Sequence, residues 1–331
     1  MRIWVFHIRS FFRRLRYVVL NGWLLQGYQS KLPDTLIWEP TNICNLKCPF
    51  CPHGNQAEAR PSGFMDCLSF DDMLRNIDVP LKTICFYLHG EPFLNKDLAY
   101  FTEQIGQLGI STTIYSNGYN IDLGLLERVL VSNRQIRFSF SIDILSKDYY
   151  EQIRRPANYE RMLSCLEAIH AVFERHKRSF ELSMTISPDE IGRNKDLFDE
   201  LFCKYDRLKR ISVGSKFPWP EYFYTGDLPG RLSEKKELCK QAAEGLAVYW
   251  NGDVTLCSYD YSGKLKVGNL AENKLSAIFN SPEARRIRKS NFLKKLGDLP
   301  LCKHCILPRY NSSVEVINRR KKQQLGHEKP A

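Results

Sequence analysis

The feature that most restricts how this chain can fold is an alternation of short apolar runs with helical patterns between residues 35 and 213. The runs Thr35 to Trp38, Thr83 to Leu88, Thr112 to Tyr115, Arg137 to Ser141, Glu181 to Ile186 and Arg210 to Val213 have the length and the β-branched or aromatic content of strands. Between them, residues 69–77, 97–108, 122–131, 158–175 and 194–205 carry apolar side chains at helical spacing. Strand and helix in alternation imply parallel pairing, because a parallel neighbour is reached only through a long crossover. Six such units are too few to close an eight-stranded barrel. The expected fold is therefore α/β: an open, partial (β/α)6 TIM-like barrel over residues 32–216, with functional loops at the carboxyl ends of its strands.

Directly after the first strand the chain reads Glu39-Pro40-Thr41-Asn42-Ile43-Cys44-Asn45-Leu46-Lys47-Cys48-Pro49-Phe50-Cys51-Pro52. Thiolates this close in sequence can converge on one inorganic cluster without long-range folding to gather them. A closed zinc or iron–sulfur site takes four protein ligands, so three leave one metal position free for a small molecule.

A second cysteine set lies downstream. Cys239 is followed after twelve residues by Gly252, after four more by Cys257, and then by Cys302-Lys303-His304-Cys305. Asn251-Gly252 between Ala247 to Tyr249 and Val254 to Leu256 is a strong hairpin signal, since both turn positions tolerate positive φ. The hairpin can bring Cys239 and Cys257 to one end of a small sheet, with the Cys-x2-Cys loop closing the site. Four thiolates of this spacing suit tetrahedral zinc as well as an iron–sulfur cluster. With a helix from about Lys274 to Lys289, these pieces form a small C-terminal α+β domain over residues 237–310. It is reached through a linker at 217–236 rich in proline, glycine and aromatics. Cys67, Cys85, Cys165 and Cys203 have no ligand spacing, and the last two fall in apolar helical stretches as expected core residues.

The net charge of +11 resides mostly at the ends. Residues 1–31 hold six basic and no acidic residues, and residues 314–331 carry a net +3. That leaves about +2 for the body of the chain, which argues against a nucleic-acid groove. The basic N-terminal segment, residues 1–31, interleaves arginines with Trp4, Phe6, Phe11, Phe12 and Trp23, and its apolar runs fall short of the ~20 residues that span a bilayer. Two readings stand open: residues 1–25 as an amphipathic helix on an anionic membrane surface, or a helix packed across one end of the barrel. The tail at 311–331 is polar and basic and is expected to be disordered. No cleavable leader is evident and the cysteines form no disulfide framework, which suits a reducing cytoplasm, with peripheral contact on the inner membrane face under the first reading.

The Cys44, Cys48, Cys51 run, with Phe50 ahead of its last cysteine, resembles the cluster loop of the radical S-adenosylmethionine (SAM) superfamily. The resemblance implies a [4Fe-4S] cluster on these three thiolates, with SAM at the open iron. It also carries roles to other positions. Gly90, Glu91 and Pro92, in His89-Gly90-Glu91-Pro92 after the second strand, would receive the methionine amino group. Ser116 and Asn117 would stand beside the cofactor. Arg154 would meet the methionine carboxylate, with Arg155 as its rival, because a planar guanidinium suits a carboxylate. Ser139, Ser141 and Asp143 alternate along the fourth strand, so one pleated face points all three toward a ligand, most simply the ribose hydroxyls. Relatives commonly have Gly where His89 stands, and Gly where Ile144 follows Asp143.

The downstream cysteines resemble the short SPASM/twitch extension of the same superfamily, which implies one auxiliary [4Fe-4S] cluster on Cys239, Cys257, Cys302 and Cys305. Such a closed cluster has no open iron and would accept an electron from a substrate radical. The implied function is a radical SAM oxidoreductase that generates a 5'-deoxyadenosyl radical and oxidises a carbohydrate-like alcohol or a peptide side chain. Its partners would be a small-molecule or peptide substrate and a reductant such as flavodoxin or ferredoxin. The alternatives are a zinc-stabilised, non-catalytic binding module on the same fold, or radical rearrangement or coupling without net oxidation. No catalytic base can be named; Asp253 and Asp260 lie near the auxiliary cysteines and are equally plausible as turn residues.

Overall fold

A computed structural model describes residues 27–55, 60–185, 194–214, 238–303, 305 and 314–318, together with Leu15. The linker at 217–236 and nearly all of the basic N-terminal segment lie outside the described residues. Six strands, β1 (Thr35–Trp38), β2 (Thr83–Phe86), β3 (Ser111–Ser116), β4 (Ile136–Ser141), β5 (Phe180–Thr185) and β6 (Leu208–Gly214), pair in parallel in chain order. Helices Cys67–Arg75, Leu98–Gln107, Leu123–Ser132, Tyr159–Arg175 and Lys195–Lys204 make the crossovers between them.

Local chemistry starts these helices where the sequence suggests. Asp66, Asp122 and Asn158 each accept a backbone N–H from the first turn, meeting donors that have no partner inside the helix. A short helix at Lys147–Ile153, capped by Ser146, was not legible in the periodicity. At seven residues it offers too few apolar positions to count.

The two faces of the sheet differ in chemistry. Leu36, Trp38, Ile84, Phe86, Ile114, Phe138, Phe140, Leu182, Ile211 and Val213 point toward the helices and are fully buried or nearly so. Phe70 stacks on Phe101 at 4.6 Å and lies 5.0 Å from Trp38, while Phe138 meets Phe173 edge-on at 5.2 Å. Each such side chain contributes about 1.5–3 kcal/mol by leaving water. The opposite, inner face carries mostly hydroxyls and charges.

The C-terminal region continues this same sheet. β7 (Ala247–Val248) pairs in parallel with β1, β8 (Asp253–Thr255) pairs antiparallel with β7, and β9 (Lys266–Asn269) with β8. A hairpin turn forms at Asn251-Gly252, but only Gly252 takes positive φ, +86°, and its N–H donates to Tyr249 O at 2.9 Å, so Trp250 is part of the turn as well. A further strand, β10 (Val314–Asn318), pairs antiparallel with β6. This corrects the expected disorder of 311–331 for those five residues: an otherwise open sheet edge offers unpaired backbone groups that a short β-branched segment can satisfy. The strand order is β10-β6-β5-β4-β3-β2-β1-β7-β8-β9.

The single helix expected near Lys274 to Lys289 is two, Leu275–Phe279 and Pro282–Phe292. Pro282 disfavours helical backbone at Ser281, which caps the second helix instead. Asn280, in the break, bonds both ways with the Ser30 backbone, so the described end of the N-terminal segment is tied here. Cys203, expected in the core, is exposed, and Cys165 is half-buried. Among the described residues no helix is long and apolar enough to cross a membrane.

Candidate functional site

The loop after β1 is held from three sides at the carboxyl ends of the strands. Glu91 donates its backbone N–H to Ile43 O at 2.9 Å, and a Cβ on Gly90 would stand 2.2 Å from Thr41 O and 2.8 Å from Ile43 O, so only glycine allows this approach. Asn117 donates to Asn45 Oδ1 at 2.8 Å and to Cys44 Sγ at 3.7 Å. Lys47 donates its N–H to Arg155 O at 2.5 Å. Cys48 is buried, with Cys44 and Cys51 half-buried beside it.

Burial, with Glu91 and the neighbouring thiols, pushes the Cys44 thiol up to about 12, and burial with Cys48 pushes the Cys51 thiol up to about 11. Cys48 is also raised by burial, although Arg154 acts against that. Buried thiols of this kind become thiolates when a metal centre supplies the compensating charge. Three such thiols on one loop fit the donor chemistry of an open iron–sulfur cluster.

Glu91 is fully buried and acts as an anchor. Its Oε1 accepts from Ser116 Oγ at 2.8 Å and from Phe93 N at 3.2 Å, and its Oε2 accepts from Asn117 N at 2.8 Å. Burial raises its pKa despite these donors. Pro92 starts the short 3-10 turn that Glu91 caps. Arg154 closes the other side: its Nε donates to Asp143 Oδ2 at 2.6 Å, its Nη1 lies 3.8 Å from Cys48 Sγ, and its guanidinium sits 5.2 Å from the Phe50 ring centre. Arg155 turns away, bonding Gln152 O. Asp143 also accepts from Thr185 N, so both of its oxygens are already committed. Ser139 and Ser141 lie on the inner sheet face, as the alternation along β4 predicts.

The auxiliary cysteines act on one another: burial, then Cys239 among other groups, raises Cys257, and Cys302 is pushed up to about 12 by burial, Cys239 and Cys305. Asn291 fixes Cys239 by bonding both its N–H and its carbonyl, at 2.9 and 2.8 Å. The fully buried Arg288, one turn earlier, donates to Ala243 O, Phe279 O and Asn280 Oδ1. Among the described residues no three His, Cys, Asp or Glu side chains close around a single-ion point. Asp260 accepts from Thr255 Oγ1, Lys264 N and Leu265 N, and Asp253 pairs with Lys266 and Asn269, so both serve the loop and turn.

One cluster escaped the sequence reading. Glu39, at the exit of β1, is completely buried and paired with Arg60 through both carboxylate oxygens, at 2.8 and 3.1 Å. It lies 3.4 Å from His89 Nδ1 and accepts the Trp250 N–H at 3.2 Å. Burial works to raise its pKa, but His89 and Arg60 together hold the carboxyl below its ordinary value. Arg60 also lies 3.5 Å over the Tyr249 ring and donates to Tyr261 O. The available signal was an acid set directly behind four strand residues and next to the cysteine loop.

The sequence matches the radical SAM superfamily over residues 38–192 and an iron–sulfur cluster-binding domain, SPASM, over residues 239–306. The second match decides between the two metals that the cysteine spacing left open. No curated protein matches the chain. Among solved structures, SuiB of Streptococcus suis bound to precursor peptide SuiA is similar in fold, at TM-score 0.63 and 16% identity over 87% of this chain and 77% of that one. BtrN in complex with AdoMet and 2-DOIA gives TM-score 0.57 and 18% identity over 83% and 93% of the two chains. Native anSMEcpe with bound AdoMet gives TM-score 0.55 and 15% identity over 78% and 83%. The chain belongs to the radical SAM superfamily, enzymes that work with a [4Fe-4S] cluster and SAM, and it carries a C-terminal SPASM domain for auxiliary iron–sulfur ligation.

Proposed function

We propose that this protein is a radical SAM oxidoreductase that oxidises a carbohydrate-like alcohol or a peptide side chain and passes one electron of that oxidation to an auxiliary cluster. The bound [4Fe-4S] cluster and SAM, reduced by a flavodoxin or ferredoxin, supply a 5'-deoxyadenosyl radical able to take hydrogen from an unactivated carbon. Cys44, Cys48 and Cys51 hold that cluster. The turn Gly90 to Pro92 presents its backbone to the methionine amino group, while Glu91 braces the turn against Ser116 and Asn117. Arg154, aimed by Asp143, takes the methionine carboxylate, and its buried guanidinium beside Cys48 and Phe50 supports that role. Ser139 and Ser141 face the ribose. Cys239, Cys257, Cys302 and Cys305 enclose the auxiliary cluster and leave it no open position.

The observation that carries this reading is the pairing of β7 with β1, which sets the auxiliary hairpin beside the open-cluster loop, so that Trp250 bonds the same Glu39 that precedes the loop. The two cysteine sets are thus carried by one continuous sheet, which supports electron transfer between them. The likeness to the solved structures supports the common scaffold alone. Anaerobic reconstitution tests the proposal. The expected result is about eight irons per chain, four for each cluster, and 5'-deoxyadenosine on reduction with dithionite. Zinc without iron would overturn it, and substrate turnover without reduction of the auxiliary cluster would point to rearrangement or coupling.

A further inference from the structure

The inner face of the sheet is polar where the interior of a closed barrel is packed with branched apolar side chains. Strand register orders it into rows. Tyr115 lies opposite Ser139, Ser139 opposite Glu181, and Glu181 opposite Arg210. Tyr87 extends that row past the end of β2, its ring 4.9 Å from that of Tyr115. One step nearer the cysteine loop the row is Ser141, Ser183 and Ser212, and one step further away it is Cys85, Thr113 and Arg137. At ~4.8 Å per strand, the row from Tyr87 to Arg210 is roughly 20 Å wide. Glu181 and Arg210 are ion-paired within it. Tyr115 is 39% exposed and Arg137 is exposed, so the face is open.

Resting on the oxidoreductase reading above, we infer that this face is the substrate-binding surface and that it takes a small polyhydroxylated molecule bearing one anionic group, such as a sugar acid or sugar phosphate. Serine and tyrosine hydroxyls can both donate and accept, which suits a ligand rich in hydroxyls. The exposed Tyr115 ring offers an amphipathic surface for the flat apolar side of a sugar ring. Two guanidiniums stand against one carboxylate, so the face keeps one positive charge after Glu181 pairs with Arg210. Arg137 holds it, at the end of the face away from the cysteine loop, and guanidinium matches carboxylate or phosphate with two parallel hydrogen bonds. A ligand anchored there by its anion would direct its other end toward Ser183 and Ser212, next to the Ser141 assigned to the ribose. An apolar peptide would find no matching side-chain pocket among these residues.

The test is anaerobic calorimetry on the full, reconstituted chain in the presence of SAM, with D-glucuronate, D-glucose 6-phosphate, D-glucose, D-glucosamine and a neutral octapeptide as probes. The inference expects the two anionic sugars to bind at least about tenfold more tightly than the others, Arg137→Gln to remove that preference, and Arg137→Lys to restore part of it. Equal binding of glucose or glucosamine, preferential binding of the peptide, or no binding of either anionic sugar at millimolar concentration would overturn it. Failure of the underlying reading would be seen separately, as missing iron or missing SAM binding in the parent protein.

Discussion

Arg154 and Asp143 form a buried ion pair of 2.6 Å whose guanidinium is turned onto Cys48. The two residues lie eleven apart on the connection between β4 and β5, across the short helix Lys147–Ile153, and neither is near the cysteine loop in sequence. Together they bring a fixed positive charge to the one buried thiol of the three. Hydrogen bonds and charge near the sulfurs set the potential of an iron–sulfur cluster. Arg154→Gln should therefore make the open cluster harder to reduce, because a positive neighbour favours the reduced, more negative state. A redox titration followed by electron paramagnetic resonance checks this, with Cys44, Cys48 and Cys51 left intact.

Asp143→Asn addresses the aiming of that arginine. The guanidinium would lose its buried counter-charge while keeping its reach, and SAM affinity should fall about 10–100-fold, the range seen when an outer partner of a ligated centre is removed. Equilibrium binding of SAM to the reconstituted protein measures it. Unchanged affinity would mean that Asp143 has no part in orienting Arg154.

Gly90 is constrained by its neighbours. In Gly90→Ala the added carbon would lie 2.2 Å from Thr41 O, in a contact with backbone that cannot swing aside. The expected outcome is a displaced cysteine loop with an intact auxiliary site, read as about four irons per chain in place of about eight. Iron and sulfide analysis after reconstitution distinguishes this from a general loss of folding.

The Glu39, Arg60 and His89 group should govern acid stability. Glu39 has its carboxyl held below the ordinary value of 4.5 in the native protein. A depressed acid stabilises the fold fully above its unfolded pKa, and that contribution fades as pH falls through the native value. Glu39→Gln should cost about 3–5 kcal/mol at neutral pH, since Arg60 is left buried without its partner, and the loss should shrink in acid. Thermal melts from neutral pH to below 4.5 follow both changes.

Cys257→Ala tests the direction of electron flow. Cys257 is buried and is one of the four downstream cysteines proposed to hold the auxiliary cluster. The variant should still form 5'-deoxyadenosine on reduction but should no longer complete net oxidation of substrate. Liquid chromatography of both products from one reaction gives the comparison.

Local patterns made much of the fold legible. The period of the apolar residues located all six parallel strands and five of their helices, because that signal is contained within a few residues. The same is true of Cys44, Cys48 and Cys51, whose spacing already forces the thiols together, and of the Asn251-Gly252 turn. Asn117 and Arg154 could be nominated only through resemblance to a family, and the structure places both against the cysteine loop.

Tertiary structure alone decided how the parts meet. Nothing in the period of Ala247–Val248 says that it will extend β1, or in Val314–Asn318 that it will cover β6, since strand pairing depends on which edges remain open once the rest has folded. Glu39 and Arg60 read as two ordinary charges 21 residues apart; only burial between the barrel and the auxiliary hairpin makes them a pair. The sequence by itself determined the donors, an open set of three thiols and a closed set of four. The sheet determined their relation, because one continuous run of backbone hydrogen bonds joins the strand ahead of the first set to the hairpin that carries the second.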